Sequence, residues 1–395
     1  MDHEFIPRIN NIQPSTSSNN KPIQDNLKRR NYTDIKFSVP QRYEIIKVLG
    51  KGSYGTVCSI RDKYSTDSQF IMAIKKITNI FNKEILLKRA IRELKFMFYF
   101  QGHQNIVNFI NVEIIFNRPY DGLYCYQELI DYDLAKVIHS DVIFTEFHIQ
   151  WFTYQILCGI KYIHSANVIH RDLKPGNILC TVYGTLKICD FGLARGIGPN
   201  SYNNMFKSNK TPHITNYVAT RWYRAPELIL SNNSYNGAID MWAIGCILAE
   251  FYHRRPIFMG KDSIHQIYEI IRYLGSPPDY LLKQFGSIRS WNMLNNITAN
   301  PRNTVIEKNW KECFPFASIS GVDLLTKLLN WDPAKRITVK QAIEHPFVSP
   351  VRRIDDEPDC PHGSFDFDYE LELDSMNKLR QYLIDEVIKF RNSRE

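Results

Sequence analysis

One short run, His170-Arg171-Asp172-Leu173-Lys174-Pro175-Gly176-Asn177, holds a carboxylate, an ammonium and an amide within a few residues of each other. Asp172 can orient and deprotonate a hydroxyl, Lys174 can neutralise a phosphoryl group in transfer, and Asn177 can hold magnesium. Asp190-Phe191-Gly192 follows a strand-like run from Leu186 to Cys189, so Asp190 is a second candidate metal ligand while Phe191 packs inward. Further upstream, Gly50-Lys51-Gly52-Ser53-Tyr54-Gly55-Thr56-Val57 lies between two strand-like runs, where positions without side chains let backbone N–H groups approach a triphosphate. No helix follows that run directly, which argues against a dinucleotide site. Ala73-Ile74-Lys75 offers an ammonium for α- and β-phosphates, and Glu93 can hold Lys75 by an ion pair. The glycine run, Lys75 with Glu93, and Asp-Phe-Gly are each weak alone and the His170 to Asn177 run is much more specific; together they read as phosphoryl transfer from ATP with Mg2+.

The elements that must position these groups are legible in the apolar spacing. Ile45 to Leu49, Val57 to Ile60 and Phe70 to Ile77 predict three strands joined by tight turns. Ile85, Leu86, Ala90, Ile91, Leu94 and Met97 recur at helical spacing over 84–98, with Lys88, Arg89 and Arg92 on a basic face. Two more strand-like runs surround Ile114–Phe116 and Leu123–Tyr126, and from Thr145, a plausible N-cap, the pattern turns helical through His164. A small β-rich part therefore precedes a larger helical one, an α+β chain. Residues 1–40, rich in Asn, Ser, Pro and Gln without a sustained apolar period, read as a disordered tail.

Composition bounds the classes of function. The chain has 395 residues, 44% of them apolar and 13% aromatic, enough for a large core. Its net charge of +8 is spread among 41 acidic residues without a long basic stripe, so nucleic acid is not expected as a partner. Eight cysteines without a C-x-x-C pair fit buried free thiols in a reducing compartment. The amino terminus lacks the apolar stretch of a signal peptide, and the run from Met241 to Ala249 is too short to span a bilayer. Cytosol or nucleus, with no membrane insertion, is the expected location.

Taken in chain order with Ala225-Pro226-Glu227, the motifs resemble the protein kinases. The resemblance implies a bilobal fold: an N-lobe at 41–130, a C-lobe at 131–348 with its activation segment at 190–227, and a C-terminal extension at 349–395. Within that segment, Thr215-Asn216-Tyr217 and the run Val218 to Glu227 resemble the Thr-x-Tyr lip and substrate pocket of the mitogen-activated protein (MAP) kinases. That likeness implies activation by phosphorylation of Thr215 and Tyr217 through an upstream kinase or activator protein, and protein substrates with Ser/Thr-Pro sites. It also implies that Arg92, Arg171 and Arg195 receive phospho-Thr215, that Arg221 and Arg224 receive phospho-Tyr217, and that the chain works as a monomer. Such a phosphate brings a charge of about −1.5 to −2, which an arginine cluster can hold. Gln127-Glu128-Leu129-Ile130 is similar to the family's adenine edge, with backbone groups of Glu128 and Ile130 as contacts, Gln127 at the back and Asp133 near the ribose. Asp355, Asp356 and Glu357 resemble its acidic docking patch, although Arg353 stands where another acid is common. The run 79–97 and the Thr-Asn-Tyr lip most resemble the sporulation-specific branch of the yeast MAP kinases, which implies a role in spore-wall assembly. Gly176 is a small departure that removes no ligand. The competing reading is a nucleotide-binding scaffold that recruits partners through the docking patch without turnover; a small-metabolite kinase leaves the lip and its arginines unexplained.

Overall fold

The computed structural model describes residues 28–52, 55–65, 70–196, 221–230, 236–284 and 309–393. Its first part is an antiparallel five-stranded sheet in the order β3 (Tyr43–Gly52), β4 (Gly55–Asp62), β5 (Ile71–Ile77), β7 (Gly122–Glu128) and β6 (Phe109–Ile115). The register sets Lys75 of β5 between Val57 of β4 and Cys125 of β7. Helix α1 (Glu84–Tyr99) follows β5 and buries Ala90, Ile91, Leu94 and Met97 as the spacing predicts, but Leu87 and Phe96 complete the buried face, while Leu86 is half-buried and Ile85 exposed.

The expected tail gives way to structure at its end. β1 (Arg29–Tyr32) and β2 (Phe37–Pro40) form an antiparallel ribbon, so 29–40 is not disordered; residues 1–27 lie outside the described residues. Phe37 and Val39 are fully buried in a cluster with Tyr43, Ile60, Ile74, Tyr124 and Tyr126. Arg29 closes the ribbon onto Glu113 at 2.8 Å. Two apolar residues flanking Ser38 are too short a pattern to register as a strand, yet they cap the outer face of the sheet.

The second part is helical. Its short pieces β8 (Tyr132–Asp133), β9 (Val168–Ile169), β10 (Ile178–Cys180), β11 (Leu186–Ile188) and β12 (Arg195–Gly196) carry the loops of interest. β10 pairs with β8 and β11, and β9 with β12. The helices are α2 (Leu134–Ile138), α3 (Glu146–Ser165), α4 (Pro226–Leu230), α5 (Ala238–His253), α6 (Ser263–Leu274), α7 (Asp279–Gln284), α8 (Trp310–Cys313), α9 (Ile319–Leu328), α10 (Val339–Ile343) and α11 (Met376–Asn392). Thr145 caps α3 by accepting from the His148 N–H, and His148 returns the contact to complete a capping box. The apolar run at Met241 lies in α5, which is buried on every side from Ile239 to Phe251 and is a core helix. Among the described residues, no helix is long and apolar enough to cross a membrane.

After α10 the chain returns to the β-rich part. Tyr154 donates its hydroxyl to the Arg353 carbonyl at 2.5 Å, and further on α11 lies along α1 and β6. Phe390 stacks on Phe98 with centroids 4.3 Å apart, and Arg391 donates to the Val112 carbonyl at 2.9 and 3.1 Å. The extension thus ties the two parts together.

Candidate active site

Strand pairing and helix packing bring the first group together. Lys75 projects from β5 toward α1, where its ammonium lies 2.5 Å from Glu93 Oε1 and 3.4 Å from Asp190 Oδ1. Burial would lower the Lys75 ammonium, but the Asp190 and Glu93 carboxylates outweigh it and hold the group charged, above its ordinary range. Burial would likewise raise the Asp190 carboxyl; Lys75, Arg89, His170 and Lys174 hold it well below the usual carboxylate range. Asp190 is left-handed, with φ 64°. That turn sends Phe191 inward against Phe96, Phe100 and His170, with centroid distances of 6.2, 5.4 and 5.3 Å.

The second group is a loop fixed from beneath. Asp240 on α5 has no exposed surface, and its carboxylate accepts the backbone N–H groups of His170 (2.9 Å) and Arg171 (2.8 Å) as well as His164 Nε2 (2.9 Å). Arg171 is held at φ 67° by these bonds. Above them, Asp172 Oδ2 accepts from Lys174 Nζ at 2.8 Å and from Asn177 Nδ2 at 2.9 Å. With Nδ2 committed to Asp172, the amide oxygen of Asn177 is the end that can face a cation. Arg336 and Glu227, both buried, brace the segment from the far side at 2.7 and 3.0 Å. A small cleft beside the loop is lined by Asp172, Lys174, Tyr223 and Arg224; the Tyr223 hydroxyl is fixed by Glu250 at 2.6 Å.

Elsewhere the expected nucleotide contacts fall into place unevenly. Gly52 pairs with Gly55 across the β3–β4 turn, and Ser53 and Tyr54 lie outside the described residues. Gly50 has open space where a side chain would stand, as the approach of a ligand requires. Gly55 is glycine for another reason: a Cβ there would lie 2.0 Å from the Lys76 carbonyl oxygen on the neighbouring strand. Lys51 is exposed, and Val57 is half-buried opposite Lys75. Ala73 lies opposite Gln127, whose amide donates to Met97 Sδ at 3.0 Å. The Glu128 N–H is committed to the Asn108 carbonyl at 3.1 Å, so a backbone contact from Glu128 to an adenine must come from its own carbonyl. Its side chain binds Lys187 at 2.7 Å. Ile130 is half-buried in the connection to β8. Asp133 caps α2 through Lys136 N–H at 2.9 Å and also pairs with the Lys136 ammonium, so its carboxylate already has a structural task.

Of the expected phosphate receivers, Arg92 and Arg171 lie close enough to Arg195 to push its guanidinium down, while Thr215 and Tyr217 lie outside the described residues. Arg221 and Arg224 flank the short turn Arg221–Tyr223, and Arg224 lies near Asp172. Arg92 forms a two-point pair with Glu370 of the extension, a partner 278 residues away that no local sequence pattern announces. The docking patch is also rearranged. Asp355 is exposed and Asp356 half-buried, but Glu357 is consumed by Arg352 at 2.9 and 3.1 Å and by the Tyr154 hydroxyl at 3.1 Å. Arg353 lies over Trp151, 5.2 Å from the ring centroid.

The site's oxygen donors, the Asp190 carboxylate and the Asn177 amide oxygen, are the hard ligands that magnesium prefers. Among the described residues no cluster of three or more His, Cys, Asp or Glu side chains could hold a metal alone, so such an ion would share its shell with phosphate oxygens and water.

The protein kinase domain family matches residues 43–348. The chain is 62% identical over 359 residues to the sporulation-specific mitogen-activated protein kinase SMK1 of Saccharomyces cerevisiae, covering 90% of each protein. It is 45% identical to the mitogen-activated protein kinase mpkA of Aspergillus fumigatus, over 90% of this chain and 80% of that one. It is also 45% identical to the mitogen-activated protein kinase spm1 of Schizosaccharomyces pombe, over 89% and 80%.

Proposed function

The chain belongs to the protein kinase domain family, among the MAP kinases, and is a serine/threonine protein kinase; from that premise we propose that it carries the γ-phosphate of ATP to Ser/Thr-Pro sites of proteins when its lip is phosphorylated. The observation that supports this reading is the contact of Lys75 with Glu93 and Asp190 beside the Asp172–Lys174–Asn177 constellation, the two sets being joined where the Cys189 N–H donates to the Asn177 carbonyl at 3.0 Å.

Each side chain has a task in that reaction. Lys75, kept charged by Glu93 and Asp190, holds α- and β-phosphates. Asp172 orients the substrate hydroxyl and accepts its proton, and Lys174, 2.8 Å from Asp172, offsets negative charge on the phosphoryl group in transfer. Asn177 and Asp190 would hold Mg2+, which would supply charge neutralisation for the phosphates. The carbonyl of Glu128 and the backbone of Ile130 meet the adenine, with Gln127 behind it. Phosphates on Thr215 and Tyr217, added at the instance of an upstream kinase or activator, are received by Arg92, Arg171 and Arg195 and by Arg221 and Arg224. Asp355 and Asp356 hold basic segments of partners, with Glu357 contributing little because Arg352 already neutralises it. Similarity to a sporulation-specific kinase supports a role in sporulation and spore-wall assembly, in the cytosol or nucleus.

The test is phosphate transfer from magnesium ATP to Ser-Pro and Ser-Ala peptides by the chain co-expressed with its activator. Wild type prefers Ser-Pro, Asp172→Asn abolishes that transfer, and Thr215→Ala/Tyr217→Phe leaves only a small residual turnover. ATP binding and a phosphorylated lip without any transfer would favour the scaffold instead.

A further inference from the structure

Arg92 precedes Glu93 on α1, so whatever fixes the Arg92 side chain also fixes the helix that presents Glu93 to Lys75. What fixes it is a carboxylate. Arg92 Nη2 lies 2.8 Å from Glu370 Oε2 and Nε pairs with Oε1, the planar two-point geometry in which guanidinium binds carboxylate or phosphate best. The two side chains are 12% and 25% exposed, so water screens the pair weakly.

Glu370 is held from behind. The neighbouring Tyr369 donates its hydroxyl to Glu370 Oε1 at 3.2 Å, and its ring stacks on Tyr382 of α11 at 5.3 Å. Lys95 of α1 lies over that ring, 4.2 Å from the centroid. Phe365 and Phe367 pack on Phe96 of the same helix at 4.6 and 5.9 Å. Arg195 feels the same carboxylate: burial, Arg92 and Arg171 push its guanidinium down, and Glu370 opposes them. Burial would raise the Glu370 carboxyl, but Arg92 and Arg195 outweigh it and keep the group ionised. Two guanidinium groups, those of Arg92 and Arg195, thus bear on one carboxylate, an anion site already supplied with an anion by the chain itself.

We infer that Glu370 is a positioning residue for phosphoryl transfer: its carboxylate stands where a phosphate would on the Arg92, Arg171 and Arg195 cluster and holds α1, with Glu93 and Lys75, in working order while the lip is unmodified. The inference rests on the reading of that cluster as the receiver of the lip phosphate. A dianionic phosphate carries more charge than this carboxylate, so once present on the lip it competes for Arg92 and takes over the task.

The experiment compares the full chain, its lip-blocked form Thr215→Ala/Tyr217→Phe, and Glu370→Gln in each, with urea midpoints measured alongside. In the lip-blocked chain Glu370→Gln lowers the residual kcat about tenfold, within the range of coupling between two sites, and leaves the peptide KM in place. In the activator-phosphorylated chain the loss is under about twofold. Hydrogen exchange across 84–99 rises in the lip-blocked variant, which gives a second readout where residual turnover is small. The swap Arg92→Glu/Glu370→Arg in the lip-blocked chain recovers kcat and protection. Equal losses in both forms, unchanged kcat and exchange, or a rise in kcat would each overturn the inference. A phosphorylated wild type without any transfer would instead sink the kinase reading, and this inference with it.

Discussion

Replacing Asp240 by asparagine removes one charge and one acceptor from a site that solvent does not reach. Oδ2 accepts both the His170 N–H and His164 Nε2, whereas Oδ1 accepts only the Arg171 N–H. The less costly orientation of the new amide therefore keeps its oxygen at the Oδ2 position and turns its NH2 against the Arg171 N–H. Leaving that buried donor unpaired costs about 1–3 kcal/mol, and the remaining bonds lose the extra strength of a charged acceptor. Arg171, at φ 67°, also loses the bond that holds it in a conformation disfavoured for a residue with a side chain. The expected sum is a destabilisation of about 2–4 kcal/mol, read as a lowered urea midpoint. Because the displaced residues carry Asp172, kcat falls by about tenfold to a hundredfold while the KM for ATP changes little. The pH dependence has a definite sign. Burial would raise the Asp240 carboxyl, but His164 and the loop N–H groups hold it below its ordinary 3.8, so its contribution is fully present above 3.8 and lost as pH falls through the lower folded value. The gap between wild type and Asp240→Asn is accordingly flat above 3.8 and narrows below it. An Asp240→Asn protein with wild-type midpoint and kcat would refute the view that this carboxylate holds the loop.

Two further outcomes follow from the packing. Gly55→Ala brings a Cβ against the Lys76 carbonyl and is expected to cost about 1–3 kcal/mol and raise the KM for ATP, whereas Gly50→Ala, with open space, leaves the thermal midpoint in place; equal effects at both positions would contradict the assignment. Burial, with Lys187 and Lys161 near, pushes the His103 imidazole from its ordinary 6.5 down to about 4, and its Nδ1 accepts the Asn105 N–H at 3.1 Å. The unfolded chain therefore takes up the proton first, and stability, full above 6.5, falls by about 1.4 kcal/mol per pH unit between those values. Urea unfolding of wild type and His103→Gln across that interval checks it; parallel profiles would speak against a neutral buried imidazole.

The chemistry-bearing residues were legible because their motifs are local. The loop holding Asp172, Lys174 and Asn177, the turn at Asp190, the strand of Lys75 and the helix of Glu93 are each specified by a few adjacent residues and an apolar period; in the structure Lys75 meets Glu93 and Asp190, and Asp172 meets Lys174 and Asn177. The ribbon at 29–40 was not legible, because Phe37 and Val39 make too short a pattern and gain their burial only from Tyr43, Tyr124 and Tyr126 elsewhere in the chain. The glycines of the loop looked alike in the sequence and differ in the fold, where only the neighbouring strand makes Gly55 obligatory. The acidic run at 355–357 looked like one patch, yet folding removes Glu357 from it by placing Arg352 and Tyr154 against its carboxylate. Sequence by itself determined in which elements the candidate groups sit, since backbone geometry and side-chain period act over a few residues. Which arginine meets which carboxylate, above all Arg92 and Glu370, was decided only by the tertiary structure, because such a pairing depends on a chain path that carries α11 back along α1 and leaves no trace in the spacing of either segment.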